Sequence, residues 1–342
     1  MSSRRRAVAF GAVAMGGAAV AAQARLLRRI GADPADAALR AFTPGRPLGV
    51  VSADGTPLHA EVFGPDDAPT VVLIHGWTEA IAYWTFVIDD LKRDFRIVAY
   101  DLRGHGQSGA AVDGDYSLER FGQDVEAVLA AAGSTVDDGR VRLVAGHSLG
   151  AMSIAAWADQ FDVQSRVRSA ALLNTGLGGL IAGAAVVAVP AFAERWRDPL
   201  SRRFFLGSRD PIPSFTSPLH HYLIHYVAFG PTATPAMIEF YRRLITNCPP
   251  DVRAAAGLAM ADMELNHALA KLSVPTLVMA GDRDRLTPVA QAERIASELP
   301  NLTRLIELPN TGHMGPLERP AEVSEALREL AVAAGADVPT AV

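Results

Sequence analysis

Five short runs in this chain are predominantly apolar and do not alternate: "TVVLI" (70–74), "FRIVAY" (95–100), "VRLVA" (141–145), "VRSAALLN" (167–174) and "VPTLVMAG" (274–281). A strand facing water on one side alternates apolar and polar residues; a continuous β-branched run marks a strand covered on both faces. The stretches between supply the covering. "IAYWTFVIDDLKR", "SLERFGQDVEAVLAAAG", "AMSIAAWADQF", "VAQAERIASEL" and "AEVSEALRELAVAAG" have helical length and periodicity. Repeated strand–helix units with right-handed crossovers give an α/β fold, a mostly parallel sheet flanked by helices. "LGVVSADGTPLHAEVFG" adds two strands around Asp54-Gly55, a hairpin turn signal. The rhythm stops over 176–270, which carries helix-like pieces and no clear strand, and then resumes. Residues 48–175 and 271–335 are therefore expected to form the core, with 176–270 a helical lid above the carboxyl ends of the strands. Residues 1–30 stand apart.

Composition narrows the function classes. The chain is 49% apolar and 20% charged, as globular proteins are, and its net charge of −5 argues against a nucleic-acid surface. The single cysteine, Cys248, allows no internal disulfide and no multi-cysteine metal site, and reads as a small buried apolar residue. The N-terminus, "MSSRRRAVAFGAVAMGGAAVAAQARLLRR", has arginines, an apolar stretch over 7–22, and Ala22-Gln23-Ala24, in the order of an export signal. The stretch is shorter than the ~20 residues that span a bilayer. Three readings stand. A membrane anchor stopped by Arg25, Arg28 and Arg29, or a cleaved signal, places the protein in the cell envelope, the anchor with membrane association through residues 7–22. An Ala-rich helix resting on the catalytic domain makes it cytoplasmic.

The chemistry centres on "VRLVAGHSLGAM" (141–152), where a buried strand runs into Gly-x-Ser-x-Gly and a helix follows. That strand–turn–helix setting is what a nucleophile elbow requires. Glycines permit the cramped backbone, and Ser148 sits at a helix N-terminus that favours developing negative charge. A serine hydroxyl needs a base, and the base needs an orienting acid. "AGDRDRLTP" and "NTGHMGPLERP" follow two later strands and put Asp284 and His313 at strand carboxyl ends, where open α/β sheets bind ligands. Asp282 is the close competitor for the acid.

With "HGW" (75–77), "DLRGHGQS" (101–108), "GHSLG" (146–150), "GDRDRLTP" (281–288) and "GHMGPLERP" (312–320) in this order, the chain from Leu48 to Ala333 resembles the α/β-hydrolase superfamily, in particular its lidded serine esterase or lipase-like members. The apolar segment ahead of such a domain resembles an actinobacterial arrangement. The resemblance implies Ser148 as nucleophile, His313 as general base and then acid, and Asp284 as orienter. It implies an oxyanion hole from the backbone N–H groups of Trp77 and Leu149, and elbow and loop positions at His75, Gly76, Gly146, His147 and Gly150. Some members carry the acid after the preceding strand, where this chain has Asn174. No cofactor and no metal are implied. His105 reads as a turn residue, and His220, His221 and His225 as lid surface or pocket lining, since no acidic residue completes a ligand set. Arg283 and Arg285 are expected to face outward. The apolar "LGGLIAGAAVVAVPAFAERW" and "HHYLIHYVAFG" point to a small apolar ester as substrate, cleaved through an acyl-enzyme. A cofactor-free perhydrolase or haloperoxidase-like activity and carbon–carbon bond hydrolysis use the same triad. A non-catalytic ligand-binding protein is the reading from another class.

Overall fold

A computed structural model describes residues 19–134, 136, 138–184 and 196–335. Eight strands form one sheet: β1 (Arg46–Val51), β2 (Pro57–Phe63), β3 (Thr70–Ile74), β4 (Arg96–Tyr100), β5 (Leu143–His147), β6 (Ala170–Leu173), β7 (Thr276–Gly281) and β8 (Leu302–Leu308). Their order is β1-β2-β4-β3-β5-β6-β7-β8. The β1–β2 and β2–β4 pairs are antiparallel and all others parallel. The hairpin expected at Asp54-Gly55 joins β1 to β2. Gly55 takes a left-handed φ of 86°, and Asp54 Oδ1 accepts the Thr56 N–H at 3.0 Å.

The apolar runs divide their side chains between two cores, as the two-residue period of a strand dictates. Val72, Ile74, Val98 and Val144 pack with Phe121 and Val125 of α4 (Leu118–Gly133) and Trp157 of α5 (Leu149–Gln160). Val71, Leu73, Ile97 and Ala145 pack on the other face with Val87 of α3 (Thr85–Leu91) and Leu327 of α13 (Pro320–Ala333). Serine at position 117 caps α4, its Oγ accepting the Arg120 N–H at 3.4 Å. The fifth strand runs two residues further than its apolar run, because Gly146 and His147 still pair with Leu172 and Leu173 of β6. Ser148 therefore follows the last strand residue directly.

Between β6 and β7 the described residues form mainly helices. These are α6 (Leu180–Gly183), α7 (Arg197–Ser201), a π-helical turn (Arg202–Leu206), α8 (Pro218–Ala228), α9 (Pro235–Asn247) and α10 (Pro250–Ala261). The final crossover uses α11 (Val289–Glu298), and α12 (Gly315–Glu318) precedes α13. The apolar stretch "AVVAVPAFAE" (185–194) lies outside the described residues.

The N-terminal expectation needs correcting. Residues 1–18, which hold most of the 7–22 segment, lie outside the described residues. Residues 19–31 form α1, followed by α2 (Pro34–Arg40). The α1 helix lies on the insertion: Gln23 Nε2 donates to Thr216 O at 2.8 Å, and Leu26 and Ile30 are buried. Asp33 then ties the segment down, Oδ1 accepting the Ala35 N–H and Oδ2 the Ala236 N–H at the start of α9. The sequence Ala22-Gln23-Ala24, read as a cleavage site, sits inside this packed helix. Among the described residues no helix is long and apolar enough to cross a membrane, which overturns the cell-envelope placement. Over residues 19–24 the composition misled because a small-residue helix that packs closely on protein resembles an export segment.

Candidate active site

Four non-glycine residues have a left-handed φ among the described residues: Thr78 (64°), Ser148 (50°), Asn174 (46°) and Asn310 (54°). They follow β3, β5, β6 and β8, so backbone strain, of order 1–3 kcal/mol each, is concentrated at one edge of the sheet. Ser148 stands at the tip of the β5–α5 turn, its N–H donating to Leu173 O at 2.9 Å. Its flanking glycines are required by close approach. A Cβ on Gly146 would overlap the Gly150 and Ala151 backbone, and one on Gly150 would overlap Ile74 O and lie 2.7 Å from His75 O. The elbow thus presses against the loop after β3. A Cβ on Gly76 would lie 3.1 Å from Ser148 Cβ. Trp77, in that loop, lines the same cavity as Ser148, and Leu149 follows the serine as the first residue of α5.

Asp284 and His313 come from the ends of β7 and β8 and meet. His313 Nδ1 donates to Asp284 Oδ2 at 2.7 Å, and both are almost fully buried. Asp284 Oδ1 accepts the Leu286 and Thr287 N–H groups, each at 2.9 Å. Its Oδ2 also accepts from Thr287 Oγ1 (2.9 Å) and Asn174 Nδ2 (3.1 Å). Burial by itself would raise the Asp284 pKa. The charge and hydrogen bond of His313, with the Thr287 and Asn174 donors, outweigh it and hold the carboxyl below its usual range. Asp282, the competitor, instead accepts the Thr311 N–H at 3.1 Å and lies partly exposed beside Arg283. The residue at the alternative acid position, Asn174, serves as an amide donor to Asp284.

The remaining motif positions have structural partners. His75 donates from Nδ1 to Gly76 O (2.8 Å) and accepts the Leu102 N–H at Nε2 (3.0 Å). Burial, with the charge of His105, holds its pKa well below the ordinary value. His105 donates to Arg103 O at 3.0 Å, and burial pushes it down to about 4. Arg283 faces outward; Arg285 donates to Tyr226 O at 2.7 Å and stacks on that ring at 4.6 Å, linking the β7 loop to α8. His225 donates to Gly230 O at 3.0 Å, and His221 lies 3.3 Å from Pro235 O. Cys248 is buried, as expected.

Two carboxyl groups at this edge had no assigned role in the sequence. Glu79, in the loop after β3, accepts the Gly76 N–H at 2.5 Å and lies 3.1 Å from His147 Nδ1. Glu318 accepts the N–H groups of Gly230 (2.8 Å) and Gly312 (2.9 Å), and burial raises it to about 7. It joins the insertion to the loop carrying His313, whose own N–H donates to Ala228 O at 2.8 Å. The only signals for them were an acid three residues after Gly76 and the Glu in "GPLERP".

Ser148 and His313 open into one cavity of about 520 Å³. Its walls are mostly apolar, with Met152 of α5, Leu180 of α6, Phe205 and Leu206 of the π-helical turn, Met260 of α10 and Leu286, while Glu79, Arg197 and Ser201 also reach the lining. Trp77 closes one side, its Nε1 donating to Arg253 O at 2.9 Å and its ring edge-on to Phe205. An imidazole held by a buried carboxylate can take a proton from a neighbouring hydroxyl, and an apolar, water-poor pocket strengthens the charges involved.

Residues 69–320 match the model of the alpha/beta hydrolase fold family, and the chain belongs to that family. Within it the chain is an esterase-like hydrolase. It is 25% identical over 271 residues to a bifunctional esterase/perhydrolase of Acinetobacter calcoaceticus, covering 77% of this chain and 92% of the relative. It is also 25% identical over 270 residues to a non-heme haloperoxidase of Rhodococcus erythropolis, covering 77% and 92%. Among solved structures, a thermophilic esterase from Thermogutta terrifontis superposes with a TM-score of 0.64 at 25% identity, covering 84% of this chain and 98% of that one.

Proposed function

We propose that the protein is a serine esterase that cleaves carboxylic esters with apolar acyl groups. In this reading Ser148 Oγ attacks the ester carbonyl while His313 takes its proton. Asp284 orients the ring and stabilises the imidazolium. The oxyanion is held by the backbone N–H groups of Trp77 and Leu149, the alcohol leaves with the proton from His313, and water releases the acid from the acyl-enzyme. The observation that carries the reading is the buried Asp284–His313 pair, opening with Ser148 into an apolar cavity. The insertion supplies much of that wall, which supports a role as a lid. A perhydrolase activity, in which peroxide replaces water at the acyl-enzyme, is favoured as a second activity by the naming of the Acinetobacter relative.

A fluorophosphonate probe and p-nitrophenyl esters from acetyl to dodecanoyl test this directly. The expected results are a covalent adduct on Ser148 and turnover that prefers medium acyl chains over acetate. Absence of both adduct and turnover would sink the esterase reading. Adding hydrogen peroxide and a carboxylic acid tests for peracid formation.

A further inference from the structure

Glu79 and His147 are buried side by side, His147 next to Ser148 in the chain and Glu79 at the wall of the same cavity, and nothing in the esterase mechanism uses them. Their hydrogen bonds define the proton between them. His147 Nε2 lies 2.8 Å from the carbonyl oxygen of His313, which can only accept, so Nε2 carries a hydrogen. Glu79 Oε2 already accepts the Gly76 N–H, so the 3.1 Å contact to His147 Nδ1 is best satisfied by a second donor. Both ring nitrogens then donate, and the pair is an imidazolium against a carboxylate. The rest of the shell agrees. The Tyr83 ring lies against His147 at 4.7 Å, and the His147 and His313 rings are 4.9 Å apart. The titratable and charged groups facing the pair are Tyr83, Tyr241, His75, His313 and Asp284. Burial opposes protonation of His147, but Glu79, by charge and hydrogen bond, outweighs it and raises the ring above its ordinary range.

We propose that Glu79 and His147 form a second buried acid–histidine pair that positions the reacting groups, Glu79 through the Gly76–Trp77 backbone and His147 through the backbone of His313. This rests on the esterase reading. The Gly76–Trp77 peptide leads into the oxyanion site, and the His313 carbonyl belongs to the residue that moves the proton. One imidazolium–carboxylate pair therefore couples the β3 loop, the elbow and the β8 loop. Both residues are positioning residues, since neither is asked to touch the reacting atoms.

The test uses Glu79→Gln and His147→Asn in the full chain. Glu79→Gln keeps shape but removes the shared charge; His147→Asn keeps a donor toward Glu79 but cannot reach the His313 carbonyl. Each is expected to lower kcat by about 10- to 100-fold with KM within about threefold, the size of a small misplacement of reacting groups. The wild type is expected to lose activity at alkaline pH as the pair gives up its proton, and Glu79→Gln to lack that limb. A purely structural role would lower Tm and leave the pH profile unchanged. Both variants turning over within threefold of wild type, with the limb intact, would overturn the proposal. Nitrogen-15 spectra of the histidine rings read the pair without activity. The wild-type His147 ring is expected to carry hydrogens on both nitrogens near neutral pH and to lose the Nδ1 hydrogen in Glu79→Gln. A bare Nδ1 in the wild type overturns the proposal even where a variant fails to fold. If the wild type neither labels nor hydrolyses esters, it is the esterase reading that fails, and the spectra still decide the pair.

Discussion

Asp284 illustrates how one side chain can be both deeply buried and ionised. Four donors, from His313, two backbone amides and Thr287, converge on it with Asn174 behind, so desolvation is offset atom by atom. Asp284→Asn keeps the volume but favours the wrong ring tautomer of His313. Its kcat is expected to fall by about 10⁴-fold with little change in KM, read by p-nitrophenyl ester kinetics. His105 shows the opposite balance. Its buried ring stays neutral down to about 4, whereas an unfolded chain protonates near the ordinary histidine value of 6.5. Stability from this group is full above about pH 6.5 and falls as the pH drops toward the folded value, because the unfolded state then binds the extra proton. The loss is roughly 3 kcal/mol. His105→Gln, which keeps a donor for Arg103 O, is expected to flatten the decline of Tm over that window in a pH series of thermal melts.

At the scale of elements, the elbow works because α5 can be pressed against β3. A methyl group on Gly150 would meet the carbonyl of Ile74, which ends β3, and that of His75 just after it, neither of which can swing away from the sheet. Gly150→Ala is expected to cost about 1–3 kcal/mol in urea unfolding and to displace Ser148 enough to lose most activity. Gly49→Ala in β1, where the space is open, should stay within about 0.5 kcal/mol. The hairpin and α4 are joined differently. Arg103, fully buried, makes a two-pronged pair with Asp124 at 2.7 Å on each side and reaches Asp54 at 3.0 Å. Arg103→Met would leave Asp124 buried without its cation, at a cost of about 3–5 kcal/mol in the same unfolding measurement. "DLRGHGQS" was visible as a motif. The reason for its arginine was not, because Asp54 and Asp124 are distant in the chain.

Over the whole molecule, the sheet is the frame and the insertion completes the site. Leu26 and Ile30 fix α1 to this body, so Leu26→Asp is expected to lower stability by about 2–3 kcal/mol, whereas a helix merely resting on the surface would lose less than about 0.5. The sequence by itself determined the five central strands, because a strand buried on both faces must be largely apolar, and that is a local property. It also pointed to Ser148, Asp284 and His313, because the pattern of residue types at strand ends that a nucleophile, base and acid would need is visible in the chain. Tertiary structure alone decided what surrounds them. Glu79 meets His147 across 68 positions, Asn174 meets Asp284 across 110, and Glu318 meets Gly230 across 88. It also decided that residues 19–31 pack on the insertion, where composition had left anchor, signal and resting helix open for the N-terminal segment. A buried polar contact leaves no periodic trace in the chain. Its partner is chosen by where the fold brings the two groups, and the cost of burying either one alone is what makes the pairing specific.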